Sequence, residues 1–285
     1  MNHLRTIKWL ETKSKLQVLL QDTSAISWLQ VDQGFEAEVA KLQTQGERFV
    51  MKVWNQSSKP DVRFQYKLLE TLSKLGIPVS SPLGWGTDGE GHQVLLTTDG
   101  GQPVLELTKD DMVRMAGILS SIHRLTAEEI GDLQIPSYDF MTYFFPGAQN
   151  HADLAFLLTS LTRVAQPNQR HLVHGDFHMH NIVRQDGQFT VIDWTNAQWG
   201  DARYDFAWAF LLLSLYVSEE VADTFRSAYI TEQTAAELKP FEALACLRWI
   251  LLFRQGGVPI MSDTKRRVAS FIDQNPFLKD SRLLA

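Results

Sequence analysis

The chain reads as an α+β protein of two lobes, a small one built on an antiparallel sheet plus one helix and a larger one that is mostly helical. Three observations predict this. Between Ile26 and Trp54 the apolar residues fall in short strand-like runs, whereas beyond Asp110 they recur at helical spacing. Asp99-Gly100-Gly101 supplies a flexible joint between the two regimes, which sets the lobes at residues 1–99 and 100–285. With 44% apolar and 21% charged residues, 285 residues suffice for a packed core and exclude disordered and fibrous classes.

Each element follows in order. Ile7, Leu10, Leu16, Leu19 and Leu20 form an imperfect helical stripe over the first twenty residues. Strands are expected at Ile26–Val31, Ala37–Leu42 and Arg48–Trp54, with Gly34 between the first two and Gln45-Gly46 turning between the last two. Pro60 to Leu75 is a helix with Phe64, Leu68, Leu72 and Leu75 on one face, stopped by Gly76-Ile77-Pro78. A strand pair, Pro82–Thr87 and Gln93–Thr98, turns at Asp88-Gly89. Asp110 to Leu125 carries a stripe through Met112, Met115, Leu119 and Ile122. Two short apolar runs, Leu172-Val173 and Phe189–Ile192, interrupt the helical pattern, which resumes at Tyr204–Tyr216, Val221–Tyr229 and Phe241–Phe253. Residues 255–285 carry only a weak pattern, and there are no internal repeats.

A net charge of -6 argues against broad attraction to nucleic acid or anionic membrane, and leaves room for a local basic pocket. The single cysteine, Cys246, lies in an apolar helical pattern and is expected to be a buried thiol. The first eight residues lack the apolar core of a signal peptide. The longest apolar run, Phe206–Val217, falls short of the roughly 20 residues that span a bilayer. A buried helix and a cytoplasmic location are therefore expected; oligomeric state leaves no mark on the pattern.

The chemically informative stretch is His174-Gly175-Asp176-Phe177-His178-Met179-His180-Asn181-Ile182, followed by Val191-Ile192-Asp193-Trp194. Phosphoryl transfer asks a protein for in-line positioning, a carboxylate at the acceptor hydroxyl and oxygen ligands for magnesium. Asp176 and Asn181, five residues apart on a tight loop, supply the carboxylate and part of the metal shell. Asp193, at the end of a nearby strand, completes it, because magnesium takes hard oxygen ligands and keeps several waters. Taken singly, Asp176 and Asn181 would do no more than cap a turn; the ordered set favours the chemical reading. His174, His178 and His180 also allow a zinc site if they converge.

The spacing resembles the protein-kinase catalytic loop H-R-D-x-x-x-x-N and the metal-binding Asp of D-F-G. The wording HGDxHxxN, then IDW, resembles the aminoglycoside-phosphotransferase and choline-kinase superfamily more closely. Gly200-Asp201-Ala202-Arg203-Tyr204-Asp205-Phe206-Ala207 is similar to its GDPxxDLA segment, with Ala202 for Pro and Phe206 for Leu. This resemblance covers roughly Ile26 to Phe253. It implies a protein-kinase-like two-lobed fold and a kinase that moves the γ-phosphoryl group of ATP or GTP, with Mg2+, onto a small-molecule hydroxyl. The acceptor would be an antibiotic, amino alcohol, sugar or similar metabolite, with no nucleic-acid or membrane partner.

The same resemblance implies Asp176 as catalytic base, Asn181 and Asp193 as metal ligands, and His174, His178, Asp205 and His123 as supports of the catalytic loop. Lys52, in Val50-Met51-Lys52-Val53, resembles the V-A-I-K lysine that holds the α- and β-phosphates; the other reading is the solvent face of an edge strand. Gly34, between Gln33 and Phe35, falls where a nucleotide-covering loop belongs, or marks an ordinary turn. Gln65 takes the place of the helix Glu that pairs with the lysine, on an inward face with Leu69 and Leu72, while Glu70 falls toward solvent. Leu96 and Thr98 are expected to offer backbone groups to adenine.

For the acceptor, Trp199, Arg203, Trp249, Arg254 and Glu242 are candidates, although the tryptophans suit a core equally well. No dense acidic cluster follows residue 230, which counts against a polycationic aminoglycoside. Two other functions compete. One is a non-catalytic nucleotide-binding module, motivated by Gln65. The other is a protein kinase, disfavoured because Asp193 to Asp205 leaves no room for an activation loop.

Overall fold

The structure, a computed structural model, describes residues 3–29, 37–44, 46–56, 58, 60–104, 106–229 and 235–284. It begins with α1 (His3–Thr6), β1 (Lys8–Thr12), α2 (Ser14–Gln21), β2 (Ser27–Leu29), β3 (Glu38–Gln43), β4 (Arg48–Trp54) and α3 (Val62–Lys74). Next come β5 (Pro82–Thr87), β6 (Gln93–Thr98), β7 (Gln102–Pro103), α4 (Lys109–His123), α5 (Ala127–Ile130), α6 (Phe140–Phe144) and α7 (Ala152–Ala165). The chain ends with β8 (His171–Val173), β9 (Ile182–Gln185), β10 (Gln188–Val191), β11 (Gln198–Gly200), α8 (Ala202–Tyr216), α9 (Glu219–Tyr229), α10 (Ala235–Arg254) and α11 (Thr264–Gln274). Two compact units result, one of residues 1–103, 129–134 and 182–195, the other of 104–128, 135–181 and 196–285.

In the first unit the described strands build a six-stranded antiparallel sheet in the order β1-β5-β6-β4-β3-β2. Its core gathers Leu16, Leu42, Phe49, Met51, Leu83, Val94 and Leu96. The N-terminal helix expected over the first twenty residues is interrupted by β1, which pairs with β5 from Lys8↔Thr87 to Thr12↔Gly84. Gly84 and Gly86 permit this. A Cβ on Gly86 would overlap the Lys8 carbonyl, and one on Gly84 would stand 3.0 Å from the Glu11 carbonyl oxygen. Strand pairing along this smooth edge overrides the weak local helical stripe.

Helix α3 packs on β5 and β6. Its start is set by Asp61, which accepts the Phe64 N–H at 2.8 Å, satisfying one of the orphan donors of the first turn. A second sheet of the described residues runs β10-β9-β7. Asp186 and Gly187 turn its hairpin with φ of 50° and 77°, the paired positive angles of a two-residue hairpin loop. The Val191 N–H, 2.7 Å from the Pro78 carbonyl oxygen, ties this hairpin to the loop after α3.

The second unit is helical apart from the β8–β11 pair, in which Val173 faces Gln198. Its core runs through Leu154, Leu158, Leu211, Leu244, Leu247, Trp249 and Ile250. Helix α4 opens on a capping box: Thr108 accepts the Asp111 N–H at 3.1 Å and Asp111 accepts the Thr108 N–H at 3.0 Å. Met112, Met115, Leu119 and Ile122 are all buried on its inner face. Helix α8 is buried along nearly its whole length, including Phe206, Trp208, Phe210 and Leu211. No described helix is long and apolar enough to cross a membrane. The helix expected from Phe241 begins at Ala235 and carries Pro240 inside it; burial of Leu238 and Phe241 on either side offsets the one backbone bond that proline forfeits. Cys246 is fully buried, and burial pushes its thiol up to about 12.

Candidate active site

In the larger unit the loop after β8 is held from beneath by Asp205, one turn into α8. Its carboxylate accepts the His174 N–H at 2.9 Å, the Gly175 N–H at 2.9 Å and a bond from His123 Nε2 at 3.0 Å. With Nε2 donating, His123 Nδ1 accepts from the Tyr229 hydroxyl at 2.6 Å. Burial resists ionisation of Asp205, and the His123 bond, the neighbouring imidazoles and the His174 N–H outweigh it, holding the carboxyl below the usual range. Gly175 adopts φ of 79°, and a Cβ there would lie 2.7 Å from the Asn196 carbonyl oxygen. Glycine is therefore required at this turn on two counts, conformation and space.

The loop aims three side chains. Asp176 accepts the Trp208 indole N–H at Oδ1 over 2.8 Å and meets His178 Nε2 at Oδ2 over 3.3 Å. His178 Nδ1 accepts the His180 backbone N–H at 3.2 Å, which places the ring proton on Nε2, facing the carboxylate. Burial works against an Asp176 anion, but the bond and charge of His178, the charge of Arg248 and the Trp208 bond more than offset it, and the carboxyl lies far below the usual range. Asn181 donates through Nδ2 to the Asp176 carbonyl at 2.9 Å, which fixes the amide and leaves its oxygen as the free donor atom. The three histidines do not converge as a zinc site would need. His174 is buried edge-on to Phe177, His178 and His180 meet edge to face, and no cluster of metal-binding side chains of that kind occurs among the described residues.

In the smaller unit Asp193 follows β10 by two residues, and the register Ile182↔Val191 closes that hairpin at its open end. Asp193 sits at φ of 64°, uncommon for a residue with a side chain. Its Oδ1 accepts from Thr195 Oγ1 at 2.8 Å and from Lys52 Nζ at 3.3 Å. Lys52 projects from β4, which lies between β3 and β6, so the edge-strand reading of this lysine fails. Gln65 is buried on α3, and the carboxylate that meets Lys52 is Asp193.

Glu70, expected at the solvent, is instead half-buried, with Lys13 at 3.1 Å and Lys67 and Lys74 each at 3.8 Å. Leu96 is fully buried in β6, an interior strand bonded on both edges by β4 and β5. The Thr98 N–H is taken by the Ser81 carbonyl at 2.9 Å and the Asp99 N–H by Arg48 at 3.0 Å. Gly34 lies outside the described residues.

The model of one family, described as the phosphotransferase enzyme family, matches residues 27–241. The chain belongs to the phosphotransferase enzyme family. A hygromycin-B 4-O-kinase from Escherichia coli matches this phosphotransferase at 48% identity over 42 residues, a segment covering 14% of the chain and 12% of that protein. Among solved structures, a thermostable mutant of an aminoglycoside phosphotransferase, in ternary complex with ADP and hygromycin B, superposes with a TM-score of 0.66 at 17% identity, covering 90% of this chain and 95% of that one. A choline kinase from Streptococcus pneumoniae gives 0.56 at 17% identity, covering 91% and 97%. An amicoumacin kinase in complex with AMP-PNP, Ca2+ and Ami gives 0.62 at 15% identity, covering 91% and 92%. These likenesses show the fold, which is protein-kinase-like.

The acceptor candidates on this phosphotransferase are mostly spent on its scaffold. Trp249 is fully buried and donates to the Tyr216 hydroxyl at 2.9 Å. Buried Glu242 is bonded by Arg226 and, at 3.0 Å, by Lys239. Arg254 clamps Asp153 with bonds of 2.8 and 2.6 Å, and Arg203 meets Asp201 at 2.7 Å. Around Asp176 the structure gathers side chains that motif reading passes over: Trp208, Arg248, Asn196 and Tyr143, whose hydroxyl donates to Asn196 Oδ1 at 2.8 Å. A signal existed for Trp208, three residues after Asp205 and so on the same helix face.

Proposed function

We propose that this phosphotransferase is a small-molecule kinase, moving the γ-phosphoryl group of ATP or GTP to a hydroxyl of a small acceptor. The observation that carries this reading is the Asp176 carboxylate, oriented by two donors on a loop that buried Asp205 fixes at consecutive peptide N–H groups. Asp176 receives the acceptor O–H as a hydrogen-bond donor. The acceptor oxygen forms a bond to the γ-phosphorus, the β,γ-bridging P–O bond breaks with its electron pair leaving on the nucleoside diphosphate, and the hydroxyl proton passes to Asp176 and then to solvent. Lys52 holds the phosphate tail.

The donor set fits a hard divalent cation. Asn181 brings an amide oxygen, its nitrogen being bonded to the Asp176 carbonyl, and Asp193 brings a carboxylate, both hard oxygen ligands. Magnesium, if held by these oxygens, would supply electrostatic neutralisation of the transferring phosphate.

The acids near the acceptor candidates are occupied, with Asp153 on Arg254, Asp201 on Arg203, Asp205 on His123 and Glu242 on Arg226 and Lys239. This favours an acceptor of low positive charge, such as a macrolide, sugar, amino alcohol or hydroxylated amino acid, over a polycationic aminoglycoside. The test is ADP release with magnesium-ATP and magnesium-GTP against a panel of such hydroxyl compounds. Asp176→Ala should lower turnover by on the order of 10²–10⁴; unchanged turnover removes Asp176 from this role. Gln65 motivates the second reading, a non-catalytic nucleotide-binding module. Slow nucleotide hydrolysis that disappears in Asp176→Asn excludes that module.

A further inference from the structure

Trp208 stands where its nitrogen does more than fill a core. Helix α8 places it one turn beyond Asp205, and its ring is 3% exposed. Its indole N–H reaches Asp176 Oδ1 at 2.8 Å. The Arg248 guanidinium lies 4.2 Å from the centre of that ring and 4.9 Å from the ring of Phe144. The same guanidinium donates to the Gly175 carbonyl at 3.2 Å, one residue before Asp176.

A carboxylate terminal torsion is broad and roughly two-fold, so packing alone fixes it poorly. Here each oxygen is addressed by a different N–H, Oδ1 by Trp208 and Oδ2 by His178. The indole is a neutral donor. It orients the carboxylate without the direct ion pair that would cancel the charge meant for the acceptor proton. Arg248 adds its charge from behind the ring and the loop rather than at the carboxylate oxygens.

We infer that Trp208 is a positioning residue for phosphoryl transfer, its indole N–H holding Asp176 Oδ1 so that Oδ2 presents a lone pair to the acceptor hydroxyl, with Arg248 fixing the indole by stacking. This rests on the kinase reading above. A filler of the core would need only the ring; a positioning residue needs the N–H. Trp208→Phe separates the two, since it keeps an aromatic face for Arg248 and deletes the donor.

The expected result is a folded variant whose kcat falls about 10- to 100-fold, the scale of a small misplacement of a reacting group, with KM for nucleotide and acceptor little changed. Trp208→His, which restores a ring N–H, should recover part of the rate. Unchanged kcat, or a loss confined to KM, overturns the inference. A further arm needs neither activity nor a folded Phe variant: the Trp208 indole ¹H–¹⁵N resonance of the Asp176→Ala protein, compared with the parent. An upfield move of the indole proton supports the contact whatever the acceptor proves to be, and an unmoved resonance overturns it even if the kinase reading stands.

Discussion

Replacing Asp205 probes the foundation of the site. Its carboxylate is 2% exposed and bonds two consecutive peptide N–H groups and His123. Asp205→Ala leaves those N–H groups buried and unpaired beside an imidazole that has lost its partner. Breaking a buried pair in this way costs about 3–5 kcal/mol. At roughly 2–4 °C per kcal/mol for a unit of this size, the melting temperature should drop by roughly 6–20 °C. The pH dependence has a definite sign. The folded-state carboxyl lies below its usual value, so its stabilisation is complete above the unfolded value of about 4 and is lost as pH falls through the lower folded value. Asp205→Asn keeps the shape and removes the titration. The gap in melting temperature between parent and Asn variant, wide at pH 7, should therefore narrow as pH falls below about 4. Thermal denaturation followed by circular dichroism at both pH values decides the matter. An Ala variant melting within about 2 °C of the parent at pH 7, under a kcal/mol on the same scale, refutes the claim that this carboxylate carries the loop.

Gly175→Ala forces a Cβ to 2.7 Å from the Asn196 carbonyl oxygen at a positive φ. A loss of about 1–3 kcal/mol in denaturant unfolding, with turnover reduced, is expected. Gly86→Ala pushes β1 off β5, where its Cβ would overlap the Lys8 carbonyl; a similar loss should come with faster proteolysis near residue 8, and a parent-like cleavage pattern would count against the pairing. Lys52→Ala should weaken magnesium-ATP binding about 10-fold or more, the scale of one charged hydrogen bond, and calorimetry returning the parent's affinity would dismiss its phosphate role.

Much of the fold was legible where local signals and tertiary packing agree. Arg48–Trp54, Pro82–Thr87 and Gln93–Thr98 are read to the residue as β4, β5 and β6, because turn residues bracket each run. Helix α4, expected over Asp110–Leu125 from its apolar stripe, spans Lys109–His123. Helix α7 was missed although Leu154, Leu158, Leu161 and Ala165 follow a helical spacing. Its punctuation is silent: His151 makes no side-chain cap, and the chain leaves through Gln166 at a φ of 46° where glycine is the usual sign. β1 was hidden because its cause lies some 75 residues away, in the glycines of β5. In the site, motif spacing led to Asp176, Asn181, Asp193 and Asp205. Of the groups that fix the loop, Trp208 lies on the same helix face as Asp205 and was within reach of the pattern, whereas Arg248, on α10, is brought to the Gly175 carbonyl by packing alone.

The pairing of β1 with β5 has a consequence for handling the protein. Without residues 8–12, β5 would present an unpaired rim of peptide groups along a Gly-Trp-Gly stretch with few side chains to obstruct a second chain. Bare rims of this kind template association. As it stands, the outermost strand bears Lys8 and Glu11, the latter tied to Lys67 at 2.6 Å, so the boundary the sheet shows to solvent is a charged one. Shortening the amino terminus would trade that boundary for an adhesive one, and the first symptom would be multimers in light scattering, before any change in the chemistry of the loop.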